Sequence, residues 1–299
     1  MVNIIFYGDE SSSPNCQKVL CTLSLLQIPY KYVVTPRPDY AELSIVDRRT
    51  PLLSIESDMY CDTAIIVDKL CDIALHKNTA GDDVDATNHR AYGEFFKSIY
   101  PSAVELMPFE NDAMDSPEPA KEVSTRARSD ALANFASYLN IINRNFLDCG
   151  KKLFFLGGEK PSMADIYVYS IVAWVLHGHQ DCELEVMCNK YAEVYAWCDR
   201  VRAFTMQGIR EDITWDCAKA FLTKESRIEY ARFVKHDKAN VLGLQPGTDI
   251  LVSPADTDKS HSQTGELLSL NDEQTCLRNA SGLVMHFPRI GYRVQAFCS

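Results

Sequence analysis

The chain opens on a largely apolar, β-branched stretch, residues 2–7, which predicts a buried strand. Pro14 then stands where a helix begins. Val19, Leu20, Leu23 and Leu26 follow at helical spacing, and Ile28-Pro29 ends the helix. Tyr30 to Val34 predicts a second short strand, and Pro36 and Pro38 break the chain before a short helical piece at Tyr40 to Ser44. Thr50 to Ser54 reads as a strand, Glu56 to Asp58 as a turn, and Met59-Tyr60 lead into a helix with an acidic cap, Asp62 to Leu70. The order strand, helix, strand, helix, strand, strand, helix describes a small sheet with helices on both faces.

Ala80 to Asp85 is a Gly/Asp linker, and from there to about residue 235 the pattern is helical. Tyr92, Phe95, Phe96, Ile99 and Tyr100 form one apolar face. Ala131, Phe135, Tyr138, Leu139 and Ile142 form another beyond an acidic, Pro-containing loop at Asn111 to Pro119. Ile166 to Leu176 is apolar all round, as a central buried helix is. Tyr191, Val194, Tyr195, Cys198 and Val201 mark a further helix, and Phe221 to Val234 reads as the last. After Lys235 short alternating runs take over: Asp249 to Val252, Glu266 to Leu270, Gln274 to Arg278, Leu283 to Phe287 and Tyr292 to Phe297. The expected organisation is an α/β domain over 1–78, an all-α domain over 84–236 and a small all-β module over 240–299.

Composition narrows the function classes. The chain has 299 residues, 46% of them hydrophobic and 24% charged, with a formal net charge of -11. Acidic charge without a basic run disfavours nucleic acid and anionic membrane as partners. The longest apolar run, Ile166 to Leu176, falls well short of the roughly 20 residues that cross a bilayer. The 11 cysteines are odd in number and irregularly spaced, and no Cys-x-x-Cys pair occurs. The start, MVNIIFYGDE, has no basic region of the signal-peptide kind. A reduced cytoplasmic enzyme is expected. Of the 7 histidines only His177 and His179 lie close, with no third ligand at a convincing spacing, so no metal is expected. Asn279-Ala280-Ser281 matches a glycosylation acceptor, which in a cytosolic protein is only a turn sequence.

Four constellations carry candidate chemistry. Ser11 to Val19 joins the first strand to the first helix. Unpaired N–H groups and the positive dipole end there stabilise a thiolate, and Ser12, Ser13, Asn15 or Cys16 can take part; the same Ser and Asn are also ordinary caps. Arg48 to Leu53 sets a proline inside an apolar run: either a cis Thr50-Pro51 peptide turns the Thr50 backbone towards a ligand, or an edge strand begins with proline. Asp62-Thr63 opens a helix and suits the ammonium and carboxylate of an α-amino acid group, or Asp62 is simply the cap. Ser162 and Asp165, after Gly157-Gly158, have capping-box spacing and read as structural.

In this order the four segments resemble the glutathione transferase superfamily over residues 1 to about 235. Arg48-Arg49-Thr50-Pro51, Tyr60-Cys61-Asp62-Thr63 and His286 to Tyr292 look like the segments of a fungal glutathione-transferase-like group with an extra C-terminal β-module. The resemblance implies a thioredoxin-like domain that binds glutathione, packed on an all-helical domain that supplies the second-substrate pocket. It places Thr50 on the cysteinyl part of glutathione, Pro51 as the cis-proline, and Asp62 and Thr63 at the γ-glutamyl end. Ser12, Ser13 and Asn15 are the candidates for activating the thiol, while Cys16 sits slightly later than the thiol of cysteine-type classes. Tyr7 stands where tyrosine-type classes carry their catalytic residue and is discounted, since serine-type members also have an aromatic there. Tyr92, Phe96 and Tyr100 either wall the acceptor pocket or pack as core.

The leading expectation is a transferase that adds glutathione to a small hydrophobic electrophile, or uses it in isomerisation or dehydration; a fungal secondary metabolite is one candidate. Two alternatives stand beside it: a non-catalytic binding or regulatory protein, and a glutathione-dependent oxidoreductase using Cys16. Homodimers are common in such folds.

Overall fold

The computed structural model describes the chain apart from residues 1, 10–12, 35–38, 47–49, 77–88, 108–124, 179–186, 188, 224–233, 256–260 and 298–299. By contact, the chain divides into two compact units: Met1–Ser12, Ile28–Ile73 and Ile209–Ser299 form the first, Ser13–Gln27 and Ala74–Gly208 the second.

The first unit is built on one sheet. Its strands are β1 (Ile4–Tyr7), β2 (Tyr30–Val33), β3 (Leu52–Ile55), β4 (Asp58–Cys61), β5 (Arg210–Ile213), β6 (Asp249–Pro254), β7 (Gln263–Leu270), β8 (Gln274–Arg278), β9 (Val284–Pro288) and β10 (Tyr292–Ala296), in the order β10-β6-β7-β8-β9-β4-β3-β1-β2-β5. β1 pairs parallel with β2 and antiparallel with β3, and β3 pairs antiparallel with β4. The predicted C-terminal strands are present, but they build no sheet of their own. β9 pairs parallel with β4, Asp58 opposite Val284 and Tyr60 opposite His286, so β6–β10 continue the N-terminal sheet. One apolar face runs the length of it, from Tyr7, Leu52 and Met59 to Met285, Phe287 and Val294. A short 3-10 turn, Tyr40–Leu43, and the residues Trp215 and Leu222 belong to the same cluster.

The second unit is helical: α1 (Pro14–Leu25), α3 (His89–Leu106), α4 (Thr125–Ile141), α5 (Met163–Gly178) and α6 (Ala192–Thr205). α2 (Thr63–His76) begins in the first unit, and α7 (Trp215–Leu222) belongs to it. α5 packs against α1, α3 and α6. Its residues Ile166, Val168, Ile171, Val172 and Val175 are completely buried, as an all-round apolar helix requires. The Asp165 carboxylate ahead of it accepts from the Ser162 N–H at 2.9 Å and the Ser162 hydroxyl at 2.6 Å. Its other oxygen accepts from the Phe155 N–H at 2.9 Å and the Trp197 indole at 2.8 Å. The capping spacing read in the sequence is thus a four-donor hub joining the loop before α5 to α6.

One expectation is corrected. The stretch up to residue 235 is not helical throughout, because Arg210–Ile213 pairs parallel with β2 as an edge strand. Three of its four side chains are charged and exposed, so no apolar alternation announced it. A helix, α7, is capped by the Thr214 hydroxyl and runs from Trp215 to Leu222, and residues 224–233 of the helix expected over 221–234 lie outside the described residues. The Ala80–Asp85 linker and the Asn111–Pro119 loop lie outside the described residues.

Candidate functional site

In the first unit the antiparallel register decides what meets what. Leu52 faces Cys61, and Tyr7 faces Leu52. One step beyond those pairs, Thr50-Pro51 enters β3 at the same end of the sheet where β4 delivers Asp62 and Thr63. The Thr50-Pro51 peptide is cis, Thr50 is exposed and Pro51 is buried. Asp62 adopts φ 89°, a left-handed conformation that Asp tolerates better than most residues. Its Oδ1 accepts from the Ala64 N–H at 2.8 Å, so Asp62 caps α2. An ionised carboxylate has about four lone-pair sites. The cap uses one and leaves the half-buried group able to meet a cation. The four residues Thr50, Pro51, Asp62 and Thr63, read as a group in the sequence, are thus gathered at one sheet end.

In the second unit Ser13 is the N-cap of α1. Its Oγ accepts from the Cys16 N–H at 3.2 Å, and Pro14 occupies the first turn. A hydroxyl that accepts through its oxygen keeps its own hydrogen to donate. Asn15 is half-buried in that turn, while Cys16 is fully buried. Ser11 and Ser12 lie outside the described residues, as do Arg48 and Arg49. Tyr7, of the first unit, is fully buried with its hydroxyl 3.2 Å from Ser54 Oγ, and burial holds its phenol well above the ordinary range.

The α3 aromatics divide. Phe96 is core, and the Lys18 ammonium lies 3.9 Å from its ring centre and 5.0 Å from that of Tyr167. Tyr92 packs edge-on against Phe146 at 5.5 Å. Tyr100 is half-buried and tilted against Phe96, and burial raises its phenol, with the neighbouring Cys16 adding to the shift. Among the described residues no group of three His, Cys, Asp or Glu side chains is placed to hold a metal ion, and no helix is long and apolar enough to cross a membrane. His179 lies outside the described residues.

Sequence reading missed a polar cluster in the first unit. His286, 2% exposed, sets Nε2 at 3.2 Å from Asp58 Oδ2 and Nδ1 at 3.0 Å from Gln274 Oε1. Tyr60 stacks on the imidazole at 4.4 Å, and the Cys276 sulfur lies 3.9 Å from Nε2. The alternation of β8 and β9 was legible, but nothing local says which strand they would join.

Comparison with known proteins gives this geometry a setting. The family model described as glutathione S-transferase, N-terminal domain, matches residues 9–77. A domain of unknown function, DUF7962, matches residues 107–209. No curated protein matches the chain. Among solved structures, the chain is similar to a GST-like protein from Pseudomonas syringae at 20% identity and TM-score 0.74, over 99% of this chain and 100% of that one. It is similar to a glutathione transferase family member from Pseudomonas fluorescens pf-5, with two glutathione bound, at 17% identity and TM-score 0.52, over 69% of this chain and 92% of that one. Poplar glutathione transferase F1 follows at 18% identity and TM-score 0.50, over 67% of this chain and 92% of that one. The chain has a glutathione-transferase-like fold, with a thioredoxin-like N-terminal domain, a helical domain and a C-terminal β-strand region.

Proposed function

We propose that this protein binds glutathione and activates its thiol for attack on a small hydrophobic electrophile, as a transferase. The observation that carries the reading is the β3–β4 register, which gathers Thr50-Pro51 and Asp62-Thr63 at one end of the sheet. Thr50 is exposed there, and its backbone can pair with an extended, peptide-like ligand. Asp62 offers a carboxylate to the γ-glutamyl ammonium, and the N-terminus of α2 with the Thr63 hydroxyl suits the adjoining carboxylate. The glutathione held by the Pseudomonas fluorescens fold relative supports the choice of ligand.

Ser12, Ser13 or Asn15 activates the thiol. An ordinary cysteine thiol has a pKa of about 8.5, and lowering it by one or two units takes roughly 1.4–2.7 kcal/mol. One charge-assisted hydrogen bond and a helix N-terminus supply energies of that size. The thiol proton leaves to solvent, the sulfur forms a bond to the electrophilic carbon, and the leaving group departs with its electron pair. The reading takes 1–78 as the glutathione domain, 84–236 as the acceptor domain and 240–299 as a β-strand addition. It places the protein in the cytoplasm as a homodimer, with an electrophile of the fungal secondary-metabolite kind as acceptor.

The test is a thermal-shift titration with glutathione on the wild type and on Asp62→Ala. A ligand that binds only the folded state adds about 2.7 kcal/mol at 100 times Kd. A shift in the wild type that disappears in Asp62→Ala is the expected result. No shift at millimolar glutathione overturns it. Ser12→Ala, Ser13→Ala and Asn15→Ala then identify the activating group: turnover falls in the responsible variant while glutathione binding stays. Binding without turnover on an electrophile panel indicates a non-catalytic protein. Loss of mixed-disulfide reduction in Cys16→Ser alone indicates the oxidoreductase alternative.

A further inference from the structure

All the residues assigned to holding glutathione lie before residue 64, yet the two segments that deliver them are held by side chains from the other end of the chain. The first segment is the close of the 3-10 turn, Leu43 to Val46, which precedes Thr50 in the chain; residues 47–49 between them lie outside the described residues. Ser44 there is left-handed, at φ 52°, and the Leu43 and Ser44 carbonyls have left the helical pattern. Asn279 donates through Nδ2 to Leu43 O at 2.7 Å and to Ser44 O at 3.2 Å. The Ser281 hydroxyl donates to Leu43 O at 2.6 Å. Gln263, 1% exposed, donates to Ser44 O at 3.1 Å and accepts from the Val46 N–H at 2.9 Å.

These donors are themselves fixed. Asn279, 4% exposed, uses its Oδ1 to accept from the N–H groups of Ser281 and Leu283, both at 3.0 Å, which closes the β8–β9 turn. The second segment is β4, which ends at Cys61 and hands the chain to Asp62. It is tied to β9 by the ladder and by the buried His286–Asp58 contact, with Tyr60 stacked on the imidazole. Buried polar groups of this kind cost stability unless every partner is met, so each contact admits few alternative placements of the chain.

We propose that the C-terminal strands are part of the glutathione site's machinery, with Gln263, Asn279 and His286 as positioning residues for Thr50-Pro51 and Asp62-Thr63. The proposal rests on the glutathione reading above for its ligand, and on the contacts alone for the placement. None of the three touches the ligand. Each sets the backbone from which the ligand's contacts project, and small misplacements of such groups cost binding disproportionately.

The experiment measures glutathione Kd by calorimetry on the full chain, well below each variant's melting temperature, together with amide hydrogen exchange over residues 41–64. The variants are Gln263→Ala, Asn279→Ala and His286→Gln. Leu139→Ala, a fully buried position in α4 of the second unit, controls for lost stability. Kd is expected to rise at least about tenfold in the three variants and to stay unchanged in Leu139→Ala at a comparable loss of melting temperature. Exchange is expected to speed up over 43–46 and 58–64. Where Asn279→Ala does not fold, Ser281→Ala removes the hydroxyl contacts to Leu43 O and Asn279 Oδ1 and serves in its place. Unchanged Kd in all folded variants, or an equal rise in Leu139→Ala, overturns the proposal. If the wild type binds no glutathione, the functional reading falls and exchange alone decides the placement. Unchanged exchange over both segments then overturns the proposal, and faster exchange confined to the three variants upholds it.

Discussion

At the first turn of α1 one hydroxyl oxygen accepts the Cys16 N–H while its hydrogen stays available to a ligand. Ser13→Ala is therefore expected to cost about 0.5–2 kcal/mol of folding stability through the lost cap, whatever it does to turnover. A urea titration reads the first effect, and thiolate absorbance of bound glutathione against pH reads the second. The thiols give a separate check. Burial pushes Cys71 up to about 12, with Asp68 and Asp72 adding to it, and pushes Cys21 up to about 12 against a contact with Thr205. Burial likewise raises Cys198 and Cys276. A thiol raised on folding contributes stability that is complete below its unfolded value and is lost as pH rises through the folded one. Stability is expected to fall above pH of about 8.5, and iodoacetamide at pH 8 is expected to label exposed Cys149 and Cys217 well before these four, as peptide mass spectrometry reports. From sequence, Ser13 and Asp62 each stood as cap or ligand group, and structure shows both capping. Asn279 read as a turn residue because its acceptors, Leu43 and Ser44, lie more than two hundred positions away.

Among elements, the helix whose start was legible depends on one buried carboxylate. Asp165→Ala leaves the Phe155 N–H, the Ser162 N–H and the Trp197 indole without their buried acceptor. The expected cost is about 3–5 kcal/mol, measured by chemical denaturation. In the sheet, β7 and β8 approach so closely at Gly265 that an added Cβ would lie 2.7 Å from Leu277 Cδ1 and closer still to the Arg278 carbonyl. Gly265→Ala is expected to cost about 1–3 kcal/mol and to loosen that ladder, seen as faster amide exchange in both strands. Elements with a period were readable: β1, α1, α5 and the alternating C-terminal runs. β5 was not, because Arg210-Glu211-Asp212 is held by backbone pairing to β2 and by the Arg210 guanidinium 3.7 Å from the Tyr32 ring centre. Neither leaves a hydrophobic pattern. The β4–β9 pairing was hidden for the same reason, since register between distant strands is set by their eventual neighbours.

For the molecule as a whole, the shared apolar face makes the late strands structural partners of the early ones. A chain ending at residue 240 would uncover Tyr7, Leu52, Met59 and Cys61, which pack in one cluster with Met285, Phe287 and Val294. It is expected to be less soluble than the full chain, or to bind more of a dye such as ANS. The same sheet order has a meaning for biosynthesis. Asp58 waits for His286 across 228 positions. At roughly 5–20 residues per second, β4 leaves the ribosome about 11–46 s before the strand that covers it. For that interval its edge is an open template for another nascent chain. Stalled or truncated translation late in the reading frame would release polypeptides with every proposed ligand contact already synthesised and no finished sheet to carry them.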